Sequence, residues 1–241
     1  MSKPEKHLFR FKKFDVDQRG CIMKLNTDGV LLGALAEAEK PQTILDIGTG
    51  TGVIALMLAQ RFATAKIDAV EVDEEAAVTA TSNFNNSPFA DKLTAYAMGF
   101  ADFFKINPEN KYDLIISNPP FYIDALASPS AVKNLAKHAG AGFFEELISV
   151  SLQHLSPGGI LWLVLPVNTA ALVKSIAAQR GLHLQKNITL HSFKTDAAHR
   201  EILSFGVQQL ALKQQQFVIY NAPKVYSEQY QRALANFFIV F

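Results

Sequence analysis

From residue 43 onwards, apolar runs of strand length alternate with segments of helix length. Thr43–Ile47 reads as a buried strand, and Val53–Phe62 as a helix that is apolar on nearly every side. Lys66–Val72 is the next strand, followed by a helix over Glu74–Asn86. Lys92–Ala97 and Tyr112–Ser117 read as further strands, and apolar residues at 144, 147, 148, 152 and 155 make a helical stripe within Phe143–Leu155. Pro157-Gly158-Gly159 then turns the chain into the strand Ile160–Leu165. Thr169–Arg180 is a helix that stops at Gly181. Residues 182–190, 200–207 and 216–220 close the pattern as strands.

Such alternation predicts an α/β fold, a parallel sheet with helices on both faces. Sheets of this kind bind ligands beyond the carboxyl ends of their strands. The chemistry is therefore expected just after residues 47, 72, 97 and 117.

Composition narrows the setting. With 241 residues, 49% of them hydrophobic, the chain can build one large core, and it is expected to form a single domain. No run of about 18 apolar residues is present, so no membrane span is expected. Cys21 is the sole cysteine, which excludes an internal disulfide and fits a reducing, cytoplasmic compartment. The six histidines are scattered without ligand spacing, so no metal site is expected. A net charge of +1 conceals a basic start: residues 1–24 carry seven Lys/Arg against three acids. Arg10, Lys12 and Lys13, interleaved with Phe9, Phe11 and Phe14, are candidates for contact with a phosphate backbone. The alternative is a solvated strand whose phenylalanines face the core.

Asp46-Ile47-Gly48-Thr49-Gly50-Thr51-Gly52 follows the first buried strand and opens a helix. Glycines at alternate positions let backbone N–H groups approach a ligand, and the helix N-terminus adds partial positive charge. The spacing is GxGxG, unlike the GxGxxG of dinucleotide binders, and the acid ahead of it suits a ligand bearing an ammonium or hydroxyl donors. Glu71, 23 residues after Gly48, stands where a carboxylate can accept from both hydroxyls of a ribose, with Asp73 as the cap of the next helix. Asp102, after the third strand, is a candidate acceptor for an adenine amino group, with Phe103 beside the ring. Ser117-Asn118-Pro119-Pro120-Phe121 follows the fourth strand. Its prolines stiffen the backbone, so the Asn118 side chain and the Pro119 carbonyl can act as two fixed acceptors for a planar exocyclic amine. Phe121 offers a face on which a base can stack.

These ordered motifs, with Asp46-x-Gly48-x-Gly50-x-Gly52, Glu71, Asp102 and Asn118-Pro119-Pro120-Phe121, resemble those of class I methyltransferases that modify amino nitrogens. The resemblance implies a Rossmann-like fold with a mainly parallel seven-stranded sheet, and S-adenosylmethionine as cofactor. Asp46 and the glycines would hold its methionine part, Glu71 the ribose, Asp102 the adenine, and Asn118 would sit between cofactor and target amine. Phe14-x-Val16-x-Gln18, then Met23–Gly33, with Tyr226-Ser227-x-x-Tyr230 and Phe237-Phe238 near the end, resemble bacterial tRNA1(Val) adenine-37 N6-methyltransferases. In that family the segment 24–33 folds beside the cofactor, which makes Thr27 and Asp28 pocket candidates. Residues 1–42 then form a basic extension and lid, and 43–241 the catalytic core.

The implied partner is tRNA, with no obligate protein partner evident. Guanine-N2 RNA methylation is the runner-up, followed by DNA adenine and protein glutamine methylation. The 42 residues ahead of the first strand leave no room for the helical domain of the glutamine enzymes. Lys137 and His138 can touch RNA, although a solvated helix end serves equally well.

Overall fold

The fold is given by a computed structural model that describes residues 7–119 and 132–241, except for the side chains of 132–141. Pro120, Phe121 and the side chains of Lys137 and His138 lie outside the described residues. In chain order, the elements are β1 Leu8–Arg10, β2 Asp15–Asp17, α1 Thr27–Leu35, β3 Thr43–Ile47, α2 Val53–Arg61, β4 Lys66–Glu71, α3 Glu74–Asn85, β5 Leu93–Ala97, α4 Phe100–Ile106 and β6 Tyr112–Ser117. There follow α5 Val132–His154, β7 Leu155–Pro166, α6 Val167–Gln179, β8 His183–His191, β9 Arg200–Gly206, β10 Lys213–Val218, β11 Tyr220–Ala222, β12 Val225–Tyr226 and α7 Glu228–Leu234.

The main sheet has the order β10-β8-β9-β7-β6-β3-β4-β5. Only β9 runs against its neighbours, so the sheet is mainly parallel. It has eight strands where the resemblance implied seven. The eighth, β10, sits at an edge and overlaps the stretch 216–220 read as a strand; it starts earlier, because the exposed Lys-Gln-Gln-Gln run ahead of buried Phe217 carries no apolar alternation to read.

Strand periodicity divides the core between the two faces. Ile44 of β3 and Trp162 and Val164 of β7 enter one cluster. Leu45 and Ile47 of β3, with Leu161, Leu163 and Leu165 of β7, enter the other. Burying each such side chain contributes about 1.5–3 kcal/mol. Helix α2 is buried from Val53 to Ala59 because the sheet covers one side and α1 packs on another. Helix α1 is equally apolar, with Val30, Leu31 and Leu32 at 1% exposure or less, so it shows no polar stripe. Its start is set by Asn26, whose side chain accepts from Gly29 N at 2.9 Å. Asp73 caps α3 in the same way, accepting from Ala76 N at 2.9 Å.

The N-terminal phenylalanines take the core alternative. Phe11 and Phe14 are buried and stack at 4.5 Å, and Phe14 meets Phe89 at 6.2 Å just ahead of β5. At the foot of α2, Gln60 donates to Asn236 O, and Lys12 Nζ donates to the carbonyls of Ala235 and Phe241, each at 2.6 Å. The N-terminal hairpin and the chain's end thus close the amino edge of the sheet. The carboxyl edge is left to the loops after β3, β4, β5 and β6.

Gly52 joins the loop after β3 to α2. Its φ is +80°, and a methyl group there would lie 2.4 Å from the buried ring of Phe84. Gly52→Ala is expected to destabilise the fold by about 2–4 kcal/mol, from a left-handed backbone plus overpacking. Gly142 lies within α5 and faces open space, so Gly142→Ala is expected to be neutral or stabilising by up to about 1 kcal/mol. Urea unfolding midpoints of the two variants check this contrast.

Candidate active site

At the carboxyl edge a cavity of about 370 Å³ opens between the glycine loop, the tips of β4, β5 and β6, and the segment ahead of α1. Its outline follows from backbone bonds. Gly48 N and Thr49 N both donate to Val70 O, at 2.9 and 3.1 Å, which folds the loop across the end of β4. Gly48, Gly50 and Gly52 all have positive φ, so the loop follows a path that side chains resist.

Glu71 fastens two loops. Its Oε2 accepts from Gly50 N at 2.9 Å and its Oε1 from Asp73 N at 3.0 Å. Each oxygen keeps further acceptor capacity, and the residue lines the cavity. Asp46 is wholly buried at the end of β3, beneath this loop rather than on the cavity wall. Its Oδ2 accepts from Thr49 Oγ1 at 2.6 Å, and its Oδ1 has no partner among the described residues. Burial pushes its pKa up to about 7. The Thr49 hydroxyl and the Ala55 amide work against that rise, and nearby Glu71 adds to it.

Asn118 follows β6, whose last residue, Ser117, donates from Oγ to Ile47 O at 2.7 Å. Asn118 is 8% exposed and lines the cavity beside Pro119. Its Oδ1 is buried with no hydrogen-bond partner among the described residues. A buried unpaired acceptor costs about 1–3 kcal/mol, so its presence in a cavity wall calls for a ligand donor.

Gly48, Gly50, Glu71, Asn118 and Pro119 therefore come together. Other candidates do not. Asp102 falls in the first turn of α4 and not in a loop, and the helix rotates it outwards. Its carboxylate is 71% exposed and pairs with Lys105 at 2.7 Å, while Met98, Gly99 and Phe100 line the cavity at this strand end. Thr27 likewise turns away, hydrogen-bonded to Tyr230, and Asn26 and Gly29 take the wall. Gly52 serves the packing against Phe84 described above. Asp28 is bound to Arg200 at 2.8 Å. Arg10 is 71% exposed, 3.9 Å from Asp15, and Lys12 is held by the chain's end. Lys13 is exposed on the same hairpin. The turn of this hairpin sits near the foot of α2, while its other end reaches the glycine-loop side, where Asp17 is hydrogen-bonded to Asn83 and Asn83 Nδ2 also donates to Thr51 O at 2.8 Å.

Sequence reasoning missed the lid residues Cys21, Met23 and Asn26, which also line the cavity. The segment 23–33 carried the signal, but the helical rotation that selects among its residues was not readable. Burial raises the Cys21 thiol pKa, with Glu71 and Asp73 adding to the rise against a Thr79 hydrogen bond, so it has little thiolate character. No group of three or more metal-binding side chains occurs among the described residues.

Residues 26–176 match the methyltransferase small domain family. The tRNA1(Val) (adenine(37)-N6)-methyltransferase of Pedobacter heparinus is 42% identical over 236 residues, 98% of this chain and 100% of that protein. Among solved structures, one described as a predicted O-methyltransferase from Agrobacterium tumefaciens superposes with a TM-score of 0.65 at 17% identity, covering 87% of this chain and 96% of that one. Another, described as a methyltransferase complexed with SAH, has a TM-score of 0.60 at 15% identity over 85% of this chain and 57% of its own. At such identities the structures establish the fold, a class I methyltransferase architecture. The family match spans more than half of the chain and the Pedobacter relative nearly all of it, so the chain belongs to the methyltransferase small domain family and, within it, to the tRNA1(Val) (adenine(37)-N6)-methyltransferases.

Proposed function

We propose that this chain methylates the N6 amine of an adenine in tRNA, adenine 37 of tRNA1(Val), with S-adenosylmethionine as donor. The observation that carries the reading is the orphaned Oδ1 of Asn118 in the wall of a cavity that also holds Glu71. The relatives' printed activity supplies the substrate. We read 43–241 as the catalytic core of one methyltransferase domain and 1–42 as its extension and lid. A cytoplasmic setting suits a tRNA substrate.

The residues present fit the cofactor. Glu71 has spare acceptor capacity for ribose hydroxyls, and Gly48 and Gly50, without side chains, let a ligand approach the loop closely. Beneath the loop, Asp46 holds a spare acceptor that favours a cationic amine close by. When bound, S-adenosylmethionine supplies an electrophilic methyl group. Asn118 Oδ1 and the Pro119 carbonyl accept the two hydrogens of the target amine, which turns the nitrogen lone pair towards that methyl. The protein's part is positioning in a largely apolar cavity, an effect that can supply about 7–11 kcal/mol. Neither an enzyme nucleophile nor a covalent intermediate is required.

Labelled S-adenosylmethionine and tRNA lacking the modification test the reading through nucleoside analysis. N6-methyladenosine is expected, and N2-methylguanosine would transfer the assignment to guanine. Within the same assay, Asn118→Ala is expected to slow transfer by about a hundredfold or more, as for other lost preorganised groups, while S-adenosylhomocysteine affinity changes little. Asn118→Asp keeps an acceptor and should be less impaired. Full activity in Asn118→Ala contradicts the mechanism.

A further inference from the structure

No hydrogen bond among the described residues fixes the Asn118 side chain. What stands against its amide is Gly29. A methyl group at that position would lie 3.3 Å from Asn118 Nδ2 and 3.6 Å from Asn26 Oδ1. The first turn of α1 therefore forms the wall against which the amide rests, and the absence of a side chain at Gly29 permits the close approach.

Two ties hold that turn. One is local, the Asn26 cap on Gly29 N. The other reaches across the molecule: Arg200 Nε donates to Asp28 Oδ2 at 2.8 Å, with the two side chains 28% and 15% exposed. Arg200 opens β9 and is in register with Pro166 of β7 and Leu190 of β8, so its backbone belongs to the rigid sheet. Its Nη1 also donates to His199 O at 2.9 Å, which fixes the direction of the guanidinium. The carboxylate also lies in the first helical turn, where the helix dipole favours it.

Resting on the reading that Asn118 orients the target amine, we propose that the Asp28–Arg200 pair is a positioning device for Asn118. It pins the first turn of α1 to the carboxyl edge of the sheet, so that Gly29 stays beside the amide nitrogen and limits the room in which the Asn118 side chain can turn. Arg200 acts here through Asp28 and Gly29 and touches neither reactant. Its loss leaves the glycine loop and Glu71 unchanged, but lets α1 and the amide drift. A misplacement near 1 Å in a reacting arrangement costs up to about a hundredfold in rate.

A double-mutant cycle on the full chain tests this, using single-turnover methyl transfer to tRNA, S-adenosylhomocysteine affinity and the melting temperature. Arg200→Met is expected to lower the transfer rate by about ten- to a hundredfold while the S-adenosylhomocysteine Kd stays within about twofold. Arg200→Lys, which keeps the charge, should recover part of the rate. In an Asn118→Ala background, Arg200→Met should cost almost nothing more, because no amide remains to be positioned. Additive losses, an unchanged rate in Arg200→Met, or a Kd that weakens in step with the rate would each overturn the proposal. Failure of the wild-type chain to methylate tRNA would instead sink the underlying reading, and the same assay reports it.

Discussion

Asp46 stands where the central strand β3 gives way to the glycine loop, fully buried, with one oxygen bound to Thr49 and the other unpaired. A carboxylate in that position resists ionisation, and folding accepts the cost because the same group ties strand, loop and helix start together. Around it, Gly48 and Thr49 hang on Val70, and Gly50 hangs on Glu71. The loop is consequently held from below and from the side, and its shape is set before any ligand arrives. Preorganisation of this kind is what lets a site without a nucleophile or a metal accelerate a reaction.

The second unpaired acceptor, Asn118 Oδ1, follows the same logic at the adjoining strand β6. Two neighbouring parallel strands, β3 and β6, thus each end in a polar group that the protein leaves unmatched. Ser117 bonds Ile47 O at the same level, so the two strand tips keep their spacing. Sheet register, rather than loop chemistry, sets the separation between the cofactor end and the amine end of the site.

Much of this was legible in the residues. Buried parallel strands read as continuous apolar runs, so β3, β4, β5, β6 and β7 stood out, and the ligand positions followed from their carboxyl ends. Gly48, Gly50, Glu71 and Asn118 come to the cavity wall because each lies within a few residues of such an end. Expected and observed positions part where a helix rotates a side chain. Asp102 became an exposed partner of Lys105 once α4 formed, and Thr27 turned to Tyr230 once α1 formed. Helix α1 leaves no amphipathic period because it is apolar nearly all round, and α4, with its buried face at Phe100, Phe103 and Phe104, is only seven residues long. The packing of the basic N-terminal run was not legible for another reason. Its phenylalanines are core residues, and Lys12 is spent on the carbonyls of the chain's end. Local composition cannot reveal a partner more than 200 residues away.

The pH dependence of unfolding tests the central claim about Asp46 most directly. Its folded pKa, about 7, lies above the unfolded value near 3.8. Its protonated form therefore favours the native state, and that stability is present in full below the unfolded pKa and lost as pH rises through the folded one. Wild type should lose stability relative to Asp46→Asn between pH 5 and 7, by up to about 1.4 kcal/mol per pH unit, and the difference should level off above that range. Parallel stability curves for the two proteins across this window would contradict a buried, uncompensated carboxylate at the foundation of the site.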